Sequence, residues 1–207
     1  MKKIFIFGNK GNMGRRYASI LKYLGYAAYG IDKNETYSSK NIKDYDGYII
    51  ATDTASHLSI LDFFIDCNKP VLCEKPIVTG DMIKLQHFIK QAEASKMQLS
   101  MVSQYDFLED PTSGDGDTSY DFYRSGNDGI AWDCINLIWH ARGKIILKNE
   151  SPIWECQING MNIDPRDIDY SYLEMIRWWL IHDYEPQYER IIKSHQKVMD
   201  YIDGKFN

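Results

Sequence analysis

The sequence predicts an α/β protein in which a parallel-sheet domain is followed by a smaller α+β domain. Three observations carry this: short apolar runs alternate with helical periods over residues 3–104, a glycine-rich turn follows the first run, and the chain changes character near residue 110. Residues 1–104 carry 14 basic and 10 acidic side chains, whereas residues 105–207 carry 10 and 19. The change falls at Glu109 to Ser119, the one stretch dense in Gly, Ser, Asp and Pro. This stretch reads as a linker, giving expected domains of 1–104 and 120–207 joined through 105–119.

In the first half, Lys3–Gly8 is an apolar run ending in glycine, as a buried parallel strand would. Residues 12–24 follow with apolar side chains at Met13, Tyr17, Ile20, Leu21 and Leu24, a helical period. Further strands are expected at 26–31, 48–51, 71–73 and 99–102, with helices at 57–67 and 81–96. Asp32 and the third strand are close enough in sequence that the second crossover is expected to be a loop or a single turn. In the second half, 144–148 and 152–158 read as strands, Asn159-Gly160 as a hairpin turn, and 167–181 and 187–202 as helices. His195 lies on the apolar stripe of the last helix and reads as a packing histidine.

Composition narrows the function classes. The chain has 207 residues, a net charge of −5 and 44% hydrophobic residues. That charge offers no footprint for nucleic acid, and no apolar run reaches the roughly 18–20 residues of a spanning helix. Cys67, Cys73, Cys134 and Cys156 lack CxxC spacing, which suits reduced, buried thiols and a cytoplasmic protein. No His/Cys/Asp cluster has metal-ligand spacing, so no metal is expected.

The segment Gly8-Asn9-Lys10-Gly11-Asn12-Met13-Gly14 joins the first strand to the first helix as a G-x-x-G-x-x-G variant of the dinucleotide fingerprint. Glycine is needed where the chain turns, where backbone approaches a pyrophosphate and where helix packs on strand. The helix N-terminus adds N–H groups and a partial positive charge. Asp32, at the end of the second strand, is placed to accept the ribose hydroxyls. It would repel a 2′-phosphate, so NAD is expected over NADP, an inference that Lys33 softens. Gly8, Lys10, Gly11, Asn12, Met13, Gly14 and Asp32 are thus candidate cofactor residues in a Rossmann-type domain.

Two further motifs follow the third and fourth strands: Ala51-Thr52-Asp53-Thr54-Ala55-Ser56-His57, and Asn68-Lys69-Pro70-Val71-Leu72-Cys73-Glu74-Lys75-Pro76. Together with the glycine loop they resemble the glucose–fructose oxidoreductase, inositol dehydrogenase and rhizopine-catabolism (Gfo/Idh/MocA) family. Its members read A-T-P-x-x-x-H and G-K-x-V-x-x-E-K-P at the corresponding places, and here Asp53 replaces the proline and Asn68 the glycine. The Met13-Gly14 ending also resembles prephenate dehydrogenases and dihydrodipicolinate reductases, which lack the E-K-P element.

The family resemblance implies that Lys75 sits beside the nicotinamide as acid/base, that Glu74 helps hold the ribose, and that the Lys75–Pro76 bond is cis. It implies that Ala51, Thr52, Asp53 and His57 border the cofactor. His57 could equally only start a helix, and Glu74–Lys75 could be an exposed ion pair. Gly129 to His140 resembles the family helix G-x-x-x-D-x-x-x-H, with the aspartate at Asp133 but Leu137 in the histidine position. His140 lies two turns beyond Asp133 on the same face, so Asp133 and His140 are candidates to orient or relay, on a stripe that faces either a substrate cleft or water. The resemblance thus implies a shortened NAD-dependent oxidoreductase acting on a small polyol, sugar or related carbonyl/hydroxyl substrate, and it admits a homodimer. Leu137 and the reduced second domain support an alternative, a non-catalytic dinucleotide-binding sensor or partner subunit.

Overall fold

The structure is a computed structural model, described here for residues 1–33, 35, 44–108, 119–123, 144–150, 153–181 and 186–203. Cys134 and the segment bearing Asp133, Asn136, Leu137 and His140 lie outside the described residues, as does most of the second crossover.

The chain divides into two compact units. The first holds Met1–Val102 and Ile176–His195, and the second holds Ser103–Met175 and Gln196–Asn207. A segment more than seventy residues downstream of Val102 therefore returns to the first unit.

In the first unit, β1 (Lys3–Phe7), β2 (Ala27–Ile31), β3 (Gly47–Ile50), β4 (Val71–Cys73) and β5 (Leu99–Met101) form one sheet in the order β2-β1-β3-β4-β5. Every pairing is parallel. β3, β4 and β5 are buried at every residue and β1 at all but Lys3, which is why these strands read as continuous apolar runs rather than alternations. The sheet is flanked by α1 (Asn12–Tyr23), α2 (Thr54–Leu61) and α3 (Met82–Ala94). α2 starts three residues earlier than the apolar period suggests, behind Asp53 in extended conformation, and ends at Leu61 in a 3-10 turn over Asp62–Phe64. In α3, Asp81 accepts a hydrogen bond from Lys84 N–H at 3.0 Å and so satisfies one of the first-turn donors.

The chain crosses from β1 to β2 on one side and then back past β1 to β3 on the other, so the strand order reverses between β1 and β3 and a crevice opens there at the carboxyl ends of the strands. Register makes that edge level: Phe7 pairs with both Ile31 and Ile50, and Ile50 with Cys73. Gly8, Asp32, Ala51 and Glu74, each the residue after its strand, therefore stand side by side.

The returning segment holds the end of α4 (Pro165–Ile181) and the start of α5 (Tyr188–Ile202). Trp179 is buried next to Gly47, where a Cβ would come within 3.1 Å of its ring. Gln187 N–H donates to Leu99 O at 3.1 Å, and the Tyr188 hydroxyl donates to Ala92 O at 3.0 Å, satisfying a carbonyl of the last turn of α3.

In the second unit, β6 (Ser119–Tyr123) pairs parallel with β7 (Lys144–Glu150), which pairs antiparallel with β8 (Ile153–Ile158) and that with β9 (Met161–Asn162). Asn159 and Gly160 both have positive φ, 51° and 79°, as a two-residue primed hairpin requires. Leu147, Cys156, Ile158, Ile168, Tyr172 and Met175 form its buried core. At the start of α4, Asp164 accepts from Arg166 N–H at 2.8 Å, and the Arg166 guanidinium beside it holds the carboxyl down to about 2. Of the four cysteines, Cys73 and Cys156 are buried as expected, but Cys67 is only half-buried. Among the described residues no helix is long and apolar enough to cross a membrane, and no cluster of His, Cys, Asp and Glu could hold a metal ion.

Candidate functional site

The carboxyl edge of the first sheet gathers most of the sequence candidates. Gly8 turns the chain out of β1 with φ +81°, and a Cβ there would lie 2.5 Å from Ala51 O in the loop after β3. A Cβ on Gly14 would overlap the Gly8 carbonyl oxygen and sit 2.7 Å from Asn9 Cα. Gly11 is less constrained, since a Cβ would meet Gly8 O at 3.3 Å. Gly8 and Gly14 are thus glycine for packing reasons, and Gly11 N-caps α1 in extended conformation (φ −69°) without a side-chain cap. The first turn of α1 carries no acidic residue, so Asn12, Met13 and Gly14 bring a positive helix end with nothing anionic in that turn. The buried Asn9 Oδ1 has no hydrogen-bond partner. A pyrophosphate fits this donor set: close backbone, an uncapped helix start and no carboxylate in the helical turn.

Asp32 sits at the tip of β2. Its Oδ2 accepts from Lys10 N–H at 3.0 Å and its Oδ1 from Lys33 N–H at 2.8 Å. Glu35, which the sequence reading missed, completes the arrangement. Its Oε2 accepts from Asp32 N–H at 2.8 Å, and its Oε1 accepts from the Lys10 ammonium at 2.7 Å. That hydrogen bond raises the Lys10 pKa and lowers that of Glu35. The Arg15 guanidinium donates to Lys10 O at 2.6 Å and to Asn12 Oδ1 at 2.8 Å, tying the loop to the helix.

On the other side of β1, the Thr52 hydroxyl accepts from Ser56 at 2.8 Å. His57 does not start a helix but lies within α2, three residues after its first residue, and is 1% exposed. Its Nδ1 lies 2.8 Å from Pro76 O and its Nε2 3.1 Å from Thr52 O. Two carbonyls would welcome a doubly protonated ring, but burial, the larger effect, lowers its pKa. His57 therefore bridges the loops after β3 and β4.

Glu74 is buried, not an exposed partner of Lys75. Its Oε1 accepts a short hydrogen bond from the Tyr17 hydroxyl of α1, and its Oε2 accepts from Lys75 N–H at 3.2 Å. The Lys75–Pro76 bond is cis. Lys75 itself is half-buried at the edge of the crevice. In the sequence Tyr17 is one apolar member of the α1 period; a tyrosine one turn after the last loop glycine is the signal that marks it. Replacing it with phenylalanine leaves a buried carboxylate oxygen short of a donor, so Tyr17→Phe should lower the unfolding free energy by about 1–3 kcal/mol, measured by chemical denaturation.

His195, the expected packing histidine, is 1% exposed and makes specific bonds. Its Nε2 accepts from Ile77 N–H at 3.0 Å, and its Nδ1 donates to Ile191 O at 2.8 Å. Burial pushes its pKa down to about 4, so the ring is neutral near pH 7. In the second unit, a recess of about 470 Å³ is lined by Phe107, Leu108, Met161, Ile163 and Tyr170, with Asp167 as its charged member.

No protein-family model and no curated protein matches the sequence. Solved structures do match. A myo-inositol dehydrogenase from Corynebacterium glutamicum superposes with TM-score 0.67 at 12% identity, over 98% of this chain and 96% of that one. The fold is that of the Gfo/Idh/MocA oxidoreductases. A member of that family from Vibrio cholerae gives TM-score 0.66 at 11% identity, over 99% of both chains. The WlbA (WbpB) dehydrogenase from Thermus thermophilus, in complex with NAD and UDP-GlcNAcA, gives 0.66 at 11% identity, over 97% of this chain and 94% of that one.

Proposed function

We propose that this chain is an NAD-dependent oxidoreductase moving hydride to or from a small polyol, sugar or related carbonyl/hydroxyl substrate. The observation that carries the reading is the level carboxyl edge, where the glycine turn, Asp32, Thr52–Asp53 and Glu74–Lys75 follow neighbouring parallel strands. The shared fold supports it, since structures with that fold bind NAD.

In this reading the amides of Asn12, Met13 and Gly14 and the close backbone at Gly8 hold the pyrophosphate. Asp32 accepts from the adenosine ribose, exchanging the Lys10 N–H it now engages. Ala51, Thr52 and Asp53 border the nicotinamide half, the buried His57 supports their loop from beneath, and Glu74 holds Lys75 in place. The cofactor supplies hydride exchange at its ring. Lys75 gives a proton to the substrate oxygen on reduction and takes one on oxidation, work worth about 10²–10⁴-fold in rate. Asp133 and His140 belong to the proposal as groups that orient substrate or relay that proton.

Asp32 at the ribose end favours NAD over NADP, because a 2′-phosphate there meets like charge, while the neighbouring Glu35 is already paired with the Lys10 ammonium. Calorimetry should therefore give NADH at least about tenfold tighter binding than NADPH, a difference of about 1.4 kcal/mol. Binding of neither nucleotide would sink the proposal.

A further inference from the structure

His195 comes from the far end of the chain, yet it holds the peptide group next to Lys75. The Pro76–Ile77 peptide is gripped at both polar ends. Its carbonyl oxygen lies 2.8 Å from His57 Nδ1, and its N–H donates to His195 Nε2 at 3.0 Å, with Val78 N–H at 3.4 Å from the same nitrogen. Ile77 is fully buried and both rings are 1% exposed. We infer that His195 is a positioning residue for Lys75, acting through the Pro76–Ile77 peptide. The inference deepens the oxidoreductase reading and rests on it for its catalytic meaning.

The tautomer follows from the partners. Nε2 receives a backbone N–H and so carries its lone pair, while Nδ1 carries the proton that goes to Ile191 O. Only the neutral ring with its proton on Nδ1 makes both bonds. On the other side of Lys75, its own N–H is held by Glu74, which the Tyr17 hydroxyl holds in turn. The lysine backbone is thereby fixed from both directions, by α1 through Glu74 and by α5 through His195. Such fixing matters because an error of about 1 Å in a reacting group can cost on the order of 10²-fold in rate. An apolar side chain of similar size would fill the space but strand a buried N–H.

The test needs no substrate. In the wild-type protein, ¹⁵N-histidine NMR at neutral pH should show His195 protonated on Nδ1 and bare on Nε2; a proton on Nε2 would overturn the inference. With lysines carrying ¹³C-methyl labels and Lys75 assigned through a Lys75→Arg variant, the Lys75 signal should be resolved from those of exposed lysines. It should stay so in His195→Gln, whose amide oxygen can accept from Ile77. It should collapse toward the exposed lysines in His195→Leu, with Ile77 amide exchange faster by about tenfold, the worth of one hydrogen bond. An unmoved Lys75 signal in a folded His195→Leu protein would overturn the inference, and if that variant does not fold, the wild-type tautomer decides. Adding NADH to the wild type tests the underlying reading separately. If NADH neither gives heat nor shifts the Lys75 signal, the oxidoreductase reading fails and takes with it the catalytic meaning of the His195 contact.

Discussion

Gly14→Ala should weaken NADH binding by about 100-fold, whereas Gly11→Ala should keep it. The two glycines look alike in the motif but differ in surroundings. A Cβ on Gly14 would overlap the Gly8 carbonyl oxygen and sit 2.7 Å from Asn9 Cα and 2.8 Å from Gly8 C, all backbone that cannot rotate aside. The loop and α1 must move apart, at the roughly 1–3 kcal/mol typical of forced overpacking. That displacement separates the helix amides from the turn, so affinity should fall by about 100-fold, equivalent to roughly 2.8 kcal/mol. At Gly11 the backbone conformation suits any residue, and the one close neighbour lies at 3.3 Å. Alanine there loses only the modest advantage of glycine at an N-cap, less than about 1 kcal/mol. Calorimetric titration and thermal unfolding of both variants would check this pair. Equal NADH binding by Gly14→Ala and wild type would mean that the turn is not a phosphate cradle.

Lys75→Met should leave NADH affinity within about threefold of wild type while turnover falls by about 10²–10⁴-fold, the usual contribution of a positioned acid/base. Methionine keeps the length and the buried stem of the side chain and removes only the ammonium. Lys33→Met, at an exposed position beside Asp32, serves as the control and should leave turnover unchanged. The assay is cofactor absorbance under single-turnover conditions, with a polyol or sugar that the wild type oxidises. Unchanged turnover in Lys75→Met would move the acid/base role to another residue. A wild-type protein that binds NADH but oxidises none of a broad polyol and sugar set would favour the sensor alternative.

The first sheet was legible because β1, β3, β4 and β5 are buried on both faces, so each shows as an unbroken apolar run ending within one or two residues of the observed element; the more exposed edge strand β2 was legible from its apolar composition alone. The glycine turn, Asp32 and the Glu74-Lys75-Pro76 element were legible because each follows such a run directly. Other features lie in distances that sequence does not encode locally. Tyr17 reads as one more apolar residue until Glu74 is placed opposite its hydroxyl. Glu35 carries no motif, and its meaning comes from a turn that brings it under Asp32 and Lys10. His195 sits 118 positions from the amide it accepts, in a helix whose period is satisfied equally well by packing alone. The start of α2 could have been found, since Asp53 before Thr54 is an N-cap signal that the apolar period beginning at His57 obscured.

The return of Ile176–His195 to the first unit has a consequence for synthesis. A ribosome making this chain releases all five strands of the parallel sheet before any residue of that segment has been added. Trp179 beside Gly47, Gln187 on the β5 carbonyl and His195 on the Ile77 amide all arrive much later. Until then the nascent sheet lacks part of its cover, and closing it demands contacts of large sequence separation, which form slowly. The first unit can thus begin folding early, yet it cannot be finished until synthesis has passed His195.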